Sequence, residues 1–507
     1  MSFRHKIKSP AELVPILVQL KTEGKRIVLC HGVFDLYHRG HLHQFEQARA
    51  YGDILVVSLT TDRFVRKGPG RPIFDQITRA EMMAGLELVD YVILSDEESS
   101  VGIIHLVKPD VYVKGQQYAQ TAKDLTGKIS QEQEAVEAVG GKIHFTVEMP
   151  IRSTPLLNNY VDPYPEVVRN FLAEFKRQYP LDQMISWVES LANLNVLVLG
   201  EAIIDQYDLC QPLGFSPKGG VVALHHQGSE VFAGGSLACA NHMASFCRSV
   251  CLITGLGSTD SYETFILQNL APNVEPHFVE LGDRQTIVKR RQFDRVYSAK
   301  KSETYHFNPR SITAVSEEMV LAALSKKIVN VDLMFVIDYG HGFITPAIIE
   351  RLVQGAPFLA VNTQANSANH GRHVITRYPR ADYICLDDYE VRLTVRDDES
   401  SIEEIGDNLA RQLNCSAMAV TMGHRGSLIS GLGERVQTPV FSKSIVDTVG
   451  AGDAFFSVTA PAVAKGLPLP VAGFLGNAVG ALATTYIGNK KSVTKQMLYD
   501  FMRTLLA

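Results

Sequence analysis

The stretch Asp447-Thr-Val-Gly-Ala-Gly-Asp453 runs directly into the apolar segment that begins Ala454-Phe-Phe, so a glycine-rich turn opens a helix with a carboxylate in its first turn. Backbone N–H groups around Val449, Gly450, Ala451 and Gly452 at a helix N-terminus can hold the charge of a transferring phosphoryl group, and glycine lets a phosphate approach closely. Asp453 is then placed to take a proton from an attacking hydroxyl. A GxGD string alone can equally be a turn with a helix cap, so the flanking segments decide.

At 507 residues the chain exceeds one ordinary hydrophobic core and predicts at least two domains. A hydrophobic content of 46%, a charged content of 20% and a net charge of −5 describe a globular protein without the basic footprint of a nucleic-acid binder. Apolar runs such as Ile27 to Cys30 and Asn195 to Gly200 are strand-sized and too short for a bilayer. No apolar run follows the basic start Met1-Ser-Phe-Arg-His-Lys, so a cytoplasmic location without a membrane partner is expected. The cysteines at 30, 210, 239, 247, 251, 385 and 415 are scattered through apolar context and read as buried free thiols. Cys247 and Cys251 lack two further ligands for zinc.

Two different α/β patterns follow one another. The first has candidate strands at Arg26 to Cys30, Ile54 to Leu59, Tyr91 to Leu94, Val111 to Val113 and Lys142 to Val147, with helical stretches between them, which predicts a parallel sheet with right-handed crossovers. An Asn/Pro/Tyr-rich connection (158–165) and amphipathic helices near 166–177 and 182–193 lead to the second. This unit starts at Asn195 to Gly200, with strands near 250–254, 333–338, 358–362, 382–386 and 417–421. Residues 207–232 and 286–307 interrupt it with strand-like alternation and predict an antiparallel flap over a doubly wound sheet, suited to excluding water.

In the second unit Gly234-Gly235 forms either a turn that admits a sugar or a helix-packing turn. Asp205 is a candidate for hydroxyl binding, and Thr421-Met-Gly423-His-Arg-Gly426 suits a nucleotide phosphate loop. From about residue 182 to 507 this pattern resembles the PfkB, or ribokinase-like, carbohydrate kinases, for which DTVGAGDAF is a specific signature. The resemblance implies ATP-dependent, Mg²⁺-assisted transfer to a sugar hydroxyl, with Asp453 as base and Gly450, Ala451 and Gly452 as anion hole. Gly200 to Asp205, Phe215-Ser-Pro217, Thr286 to Arg291 and Asp338 to Gly342 are similar to the heptose-7-phosphate kinases. This likeness makes Lys289 and Arg291 candidates for the substrate phosphate, though long basic residues on a strand serve equally as a solvated face. Ala238 stands where the family carries Asn, Asn362-Thr-Gln364 where it carries Asp-Pro-Lys, and Asp387 where it carries Asn. Glu390 is kept, and with Asp387 it is expected to hold Mg²⁺ through water.

In the first unit His31-Gly32-Val-Phe34-Asp-Leu-Tyr-His38-Arg-Gly40-His41 follows a strand and opens a helix. His38 and His41 share a face, and Gly40 lets a phosphate approach between them. A zinc reading that adds His43 lacks a completing ligand. Residues 25 to 158 resemble the cytidylyltransferase-like nucleotidyltransferases, with Lys67, Arg79 and Val113-Lys114-Gly115 in the order of the heptose-1-phosphate adenylyltransferases. The resemblance makes His38 and His41 transition-state stabilisers, and Gly32, Phe34, Gly40, Lys67, Arg79, Lys114, Ser153 and Thr154 nucleotide or phosphate contacts. It departs from the family at Gln116-Gln117 and at Pro155.

The expected architecture is therefore a Rossmann-like nucleotidyltransferase domain (1–158), a linker helix (159–181) and a ribokinase-like doubly wound domain with a β flap (182–507). Together the two resemble a bifunctional heptose kinase/adenylyltransferase in reversed order, acting on sugar phosphates and nucleoside triphosphates as a homodimer. Two alternatives stand beside this reading. One is CTP in place of ATP at the first site; the other is a kinase-like domain that binds or senses its ligand with impaired chemistry.

Overall fold

Strand β1 (Ile27–Gly32) buries Val28 and Cys30 with Phe45 on one side of its sheet, and Ile27 and Leu29 with Leu13 and Leu17 on the other. A strand covered on both faces needs a continuous apolar run, and this is why it was legible as a parallel strand. The computed structural model describes residues 3–65, 71–97, 99–115, 128–146, 164–294, 296–297, 299–431, 433–442 and 445–506. The chain divides into two units, one made chiefly of Met1–Pro165 and the other of Glu166–Met502.

In the first unit β2 (Ile54–Thr60), β3 (Tyr91–Ser95), β4 (Val111–Gly115) and β5 (Lys142–Thr146) join β1 in a parallel sheet of order β3-β2-β1-β4-β5. The order reverses between β1 and β4, and such switch points open a crevice at the carboxyl ends of the strands. The end of β1, the loop after it and the start of helix Arg39–Arg49 carry His31 to His41 into that position.

The second unit holds a nine-stranded sheet. It is built from β6 (Asn195–Gly200), β9 (Ser249–Leu256), β10 (Val274–Glu280), β13 (Leu333–Asp338), β14 (Leu359–Thr363), β15 (Tyr383–Asp387), β16 (Ala417–Thr421), β17 (Ser427–Gly431) and β18 (Glu434–Thr438). Its order is β10-β9-β6-β13-β14-β15-β16-β17-β18, parallel from β10 to β16 and antiparallel beyond. A separate four-stranded sheet, β12-β11-β7-β8, comprises β7 (Ala202–Phe215), β8 (Val222–Gly235), β11 (Ile287–Asp294) and β12 (Ala299–His306). The expectation of an antiparallel flap needs one correction: β7 and β11 pair in parallel, because the chain crosses the large sheet between them.

The helix Ala451–Ala464 that follows the glycine turn is buried along Ala454 to Ala462, and Phe456 stacks on Phe335 of β13 at 4.1 Å. A fully apolar helix surface is stable only inside such a core, so the turn that opens it is fixed in place. Helix Glu166–Gln178 packs Phe175 on Phe474 (4.5 Å) and Phe171 on Phe441 (6.1 Å) within the same unit. All seven cysteines are free thiols, five of them buried, with Cys251 and Cys415 partly exposed. Among the described residues no helix is long and apolar enough to cross a membrane.

Candidate active sites

In the second unit a cavity of about 540 Å³ opens between the flap and the large sheet, and the glycine turn lines it from Gly450 to Asp453. Gly450 caps the helix at φ +83°, and a Cβ there would meet Asn489 Oδ1 at 2.3 Å. Only glycine holds this turn open without strain. Asp453, in the first turn of that helix, accepts the Tyr339 hydroxyl at Oδ2 (2.9 Å). Burial pushes its carboxyl up to about 6, the Tyr339 hydrogen bond and the nearby Lys289 ammonium pull it down, and Asp205 opposes them. A carboxylate poised near neutrality is suited to accepting a hydroxyl proton.

The flap supplies the opposite wall. Asp205 on β7 is buried, bonded to the Arg291 guanidinium and to Asn489 Nδ2 (3.0 Å). Gly234 gives that carboxylate its room, since a Cβ would lie 2.0 Å from Asp205 Oδ2, while Gly235 lines the cavity and precedes helix Ser236–Ala244. Arg291 also bonds Glu303 Oε1 (2.9 Å) on β12, so its charge is met by two carboxylates. Lys289 differs. Its ammonium lies over the rings of Tyr305 (5.1 Å) and Tyr339 (5.4 Å), and burial draws it below its ordinary range. Neither residue is a solvated face: each is 5% exposed.

The phosphate-loop candidates Thr421, Gly423 and Gly426 line the same cavity from the β16–β17 turn. Asp387 and Glu390 do so from the start of helix Asp388–Val395, where they cap each other: Glu390 N donates to Asp387 Oδ1 (2.7 Å) and Asp387 N to Glu390 Oε2 (2.9 Å). Burial and then the Asp387 charge push Glu390 up to about 8, and burial raises Asp387. Glu390 Oε1 also accepts Ala365 N (2.9 Å), and two neighbouring carboxyl groups beside the 421–426 turn suit a divalent cation held through water. Among the described residues no group of three or more His, Cys, Asp or Glu is arranged around a metal. At the substituted positions Ala238 is buried in its helix, Asn362 Nδ2 donates to the Cys385 carbonyl (2.7 Å), and Asn362 and Gln364 line the cavity.

In the first unit His38 caps helix Arg39–Arg49, its Nδ1 accepting Gly40 N (3.0 Å), and its ring stacks on His41 at 3.9 Å. The Phe34 ring meets His41 edge-on at 5.2 Å and leaves 3.1 Å to a Cβ built on Gly32. The structure therefore brings Gly32, Phe34, His38, Gly40 and His41 together. His43 turns to Gln47 Nε2 (2.6 Å) instead of toward them.

Two basic residues expected at phosphates are occupied elsewhere. Arg79 is wholly buried and donates to the carbonyls of Val33, Thr60 and Phe74 and to Asp62 Oδ1, so it clamps the loop after β1 to the end of β2. Lys114 pairs with buried Glu132 at 2.7 Å. In each case the protein supplies the acceptors that a phosphate was expected to supply. Lys67, Ser153 and Thr154 lie outside the described residues.

Residues 193–496 match the pfkB family carbohydrate kinases, over more than half of the chain. The chain belongs to that family. Ahead of the pfkB domain, residues 29–170 match the cytidylyltransferase-like family, so two transferase families follow one another on one chain. Over 161 residues the chain is 38% identical to the Bifunctional protein HldE of Geobacter metallireducens, covering 30% of this chain and 31% of that protein. Over 144 residues it is 42% identical to the protein of the same name from Campylobacter concisus, with 28% and 30% covered. The matched stretch is thus about a third of the length of these relatives. The pfkB domain shares its fold with phosphofructokinase-2 of Escherichia coli, solved with substrates and products: TM-score 0.50, 14% identity, 62% of this chain and 99% of that one.

Sequence reasoning gave Tyr339, Asn489, Glu303 and Lys300 no role in the pfkB domain. Tyr339 was visible only as a member of the Asp338 to Gly342 motif, with no role of its own. Asn489 meets Asp205 across 284 positions, and nothing in local spacing signals such a contact.

Proposed function

We propose that the pfkB domain transfers the γ-phosphoryl group of ATP to a hydroxyl of a sugar or sugar phosphate, and that the first domain transfers a nucleotidyl group to a sugar 1-phosphate with release of pyrophosphate. The observation that carries the first half is Asp453, partly buried where it lines the cavity beside the Gly450 turn and held by the Tyr339 hydroxyl at 2.9 Å. In this reading Asp453 takes the acceptor's hydroxyl proton, the freed oxygen attacks the γ-phosphorus, and the N–H groups of Gly450, Ala451 and Gly452 receive the charge as ADP leaves. Mg²⁺, held by Asp387 and Glu390 through water, would neutralise phosphate charge when bound. Asp205 orients an acceptor hydroxyl, and Lys289, rather than the doubly paired Arg291, faces an acceptor phosphate.

For the first domain the stacked His38 and His41 at a helix N-terminus support stabilisation of the pentavalent α-phosphate. Heptose phosphates as substrates, on the way to an ADP-heptose-like nucleotide sugar, rest on the motif resemblance of both domains. We assign the functional division to 1–158 and 182–507, and a cytoplasmic homodimer as the working form.

A turnover screen of phosphosugars with ATP and with CTP tests the reading, using wild type beside His41→Ala and Asp453→Asn. The expected result is ADP formation lost only in Asp453→Asn and pyrophosphate release lost only in His41→Ala. Undiminished ADP formation by Asp453→Asn would overturn the assigned base, and preference for CTP would replace the adenylyl transfer with cytidylyl transfer.

A further inference from the structure

Asp447 stands three residues before Gly450 and its carboxylate accepts four hydrogen bonds. Oδ1 receives the Lys300 ammonium (3.0 Å) and Val449 N (3.1 Å); Oδ2 receives the Tyr207 hydroxyl (2.7 Å) and Gly488 N (3.0 Å). Two donors are backbone groups of the anion-hole turn and the turn beside it. The other two are side chains of the flap, from β12 and β7. The carboxylate side chain is 2% exposed, that of Lys300 29%. Burial alone would raise the Asp447 carboxyl, and the Tyr207 and Lys300 contacts outweigh it and hold the group below its ordinary value.

We propose that Lys300 is a positioning residue for phosphoryl transfer, which acts through Asp447 to hold the Val449–Gly452 N–H groups in the arrangement that receives the transferring phosphoryl. This rests on the kinase reading of the Gly450 turn. A buried carboxylate bonded to backbone N–H groups on one side needs a cation on the other to remain ionised at low cost. Lys300 is that cation, and it comes from the flap. The anion hole is therefore complete only with β12 in place. Tyr207 adds rigidity: its ring is wholly buried, lies 5.5 Å from the Arg291 guanidinium and is pressed against Gly488, where a Cβ would meet it at 2.8 Å. The next residue, Lys301, points the other way, as alternate strand residues do, and pairs with Asp294 at 3.3 Å. It provides a control of equal charge.

The test uses the full-length protein and needs no knowledge of the acceptor. Binding of ADP with Mg²⁺ is compared in the absence and presence of aluminium fluoride, which mimics the transferring phosphoryl, by titration calorimetry on wild type, Lys300→Met, Lys300→Arg and Lys301→Met. Wild type and Lys301→Met are expected to gain affinity from the fluoride. Lys300→Met should keep its ADP affinity within about twofold yet lose tenfold or more of that gain, and Lys300→Arg should recover most of it. With any acceptor that turns over, Lys300→Met should likewise lower kcat more than it raises KM. An undiminished fluoride gain in Lys300→Met overturns the inference, as does an equal loss in Lys301→Met. If wild type itself gains nothing, the kinase reading of the Gly450 turn fails and takes the inference with it.

Discussion

The Tyr339 hydroxyl and Asp453 Oδ2 are joined by a 2.9 Å hydrogen bond inside the cavity, and the backbone of Tyr339 is fixed on both sides. Its N–H donates to Glu201 Oε2 (3.0 Å), and its carbonyl accepts from Asn366 and Asn369 (2.7 and 3.0 Å). A carboxylate pinned at one oxygen by an immobile donor presents the other in a constant direction. The sheet thereby aims the Asp453 carboxylate: Tyr339 follows directly from β13, the strand next to the switch point.

With Asp453 as the proposed base, this pair is expected to set the pH dependence of phosphoryl transfer. Asp453 is raised to about 6 chiefly by burial, so it is protonated below that pH and unable to act as a base; kcat/KM should fall about tenfold per unit below about pH 6. The Tyr339 hydroxyl favours the ionised form. Tyr339→Phe should therefore move the acid limb to higher pH and lower the rate at pH 7, with ATP affinity unchanged. An acid limb at the same pH in Tyr339→Phe would show that the hydroxyl does not act on Asp453.

Arg79 distinguishes a structural from a substrate role. Its guanidinium satisfies three carbonyls and Asp62 with no exposure, and removing it strands those acceptors. Arg79→Met should destabilise the first domain by about 3 kcal/mol, the usual scale for breaking a buried charged network. Arg79→Lys should recover only part, because an ammonium lacks the planar fork. Differential scanning calorimetry reads this as a lowered transition for the first domain beside an unchanged one for the pfkB domain. A phosphate contact would instead raise KM for the nucleotide and leave melting unaltered.

The architecture was legible where burial dictates sequence. The buried parallel strands β6 and β13 are largely apolar runs, and the glycine turn before helix Ala451–Ala464 declares itself because a positive φ and a 2.3 Å approach to Asn489 demand glycine at 450. Strands β10 and β18 were missed because Val-Glu-Pro-His-Phe-Val-Glu and Glu-Arg-Val-Gln-Thr carry edge polarity that resembles loop, and β17 because Ser-Leu-Ile-Ser-Gly is short and glycine-flanked. The parallel β7–β11 pairing escaped for another reason, since register between segments some 80 residues apart leaves no local pattern. Basic residues were the least legible. Charge predicts that Lys114 and Arg291 seek anions, and the fold answers with Glu132, Asp205 and Glu303 before any phosphate arrives.

His242 gives the pfkB domain an acid-sensitive core. It is fully buried in helix Ser236–Ala244, and its Nδ1 accepts Val493 N (3.1 Å). Burial lowers its folded pKa to about 4, against about 6.5 unfolded. The unfolded chain therefore binds this proton first, and the stability due to the neutral ring is present above about pH 6.5 and lost as pH falls toward 4. The full loss is about 3 kcal/mol, at 1.4 kcal/mol per unit. Asp453 and Glu390, raised by burial, work in the opposite sense, since their neutral forms stabilise the fold at low pH and that contribution fades as pH rises through their folded values. His242→Asn keeps an acceptor for Val493 N and removes the titration. It should lower the melting temperature at pH 8, where its smaller side chain leaves a cavity, yet lose less between pH 8 and pH 5 than wild type does. Equal losses in the two proteins would show that His242 is not the group that titrates.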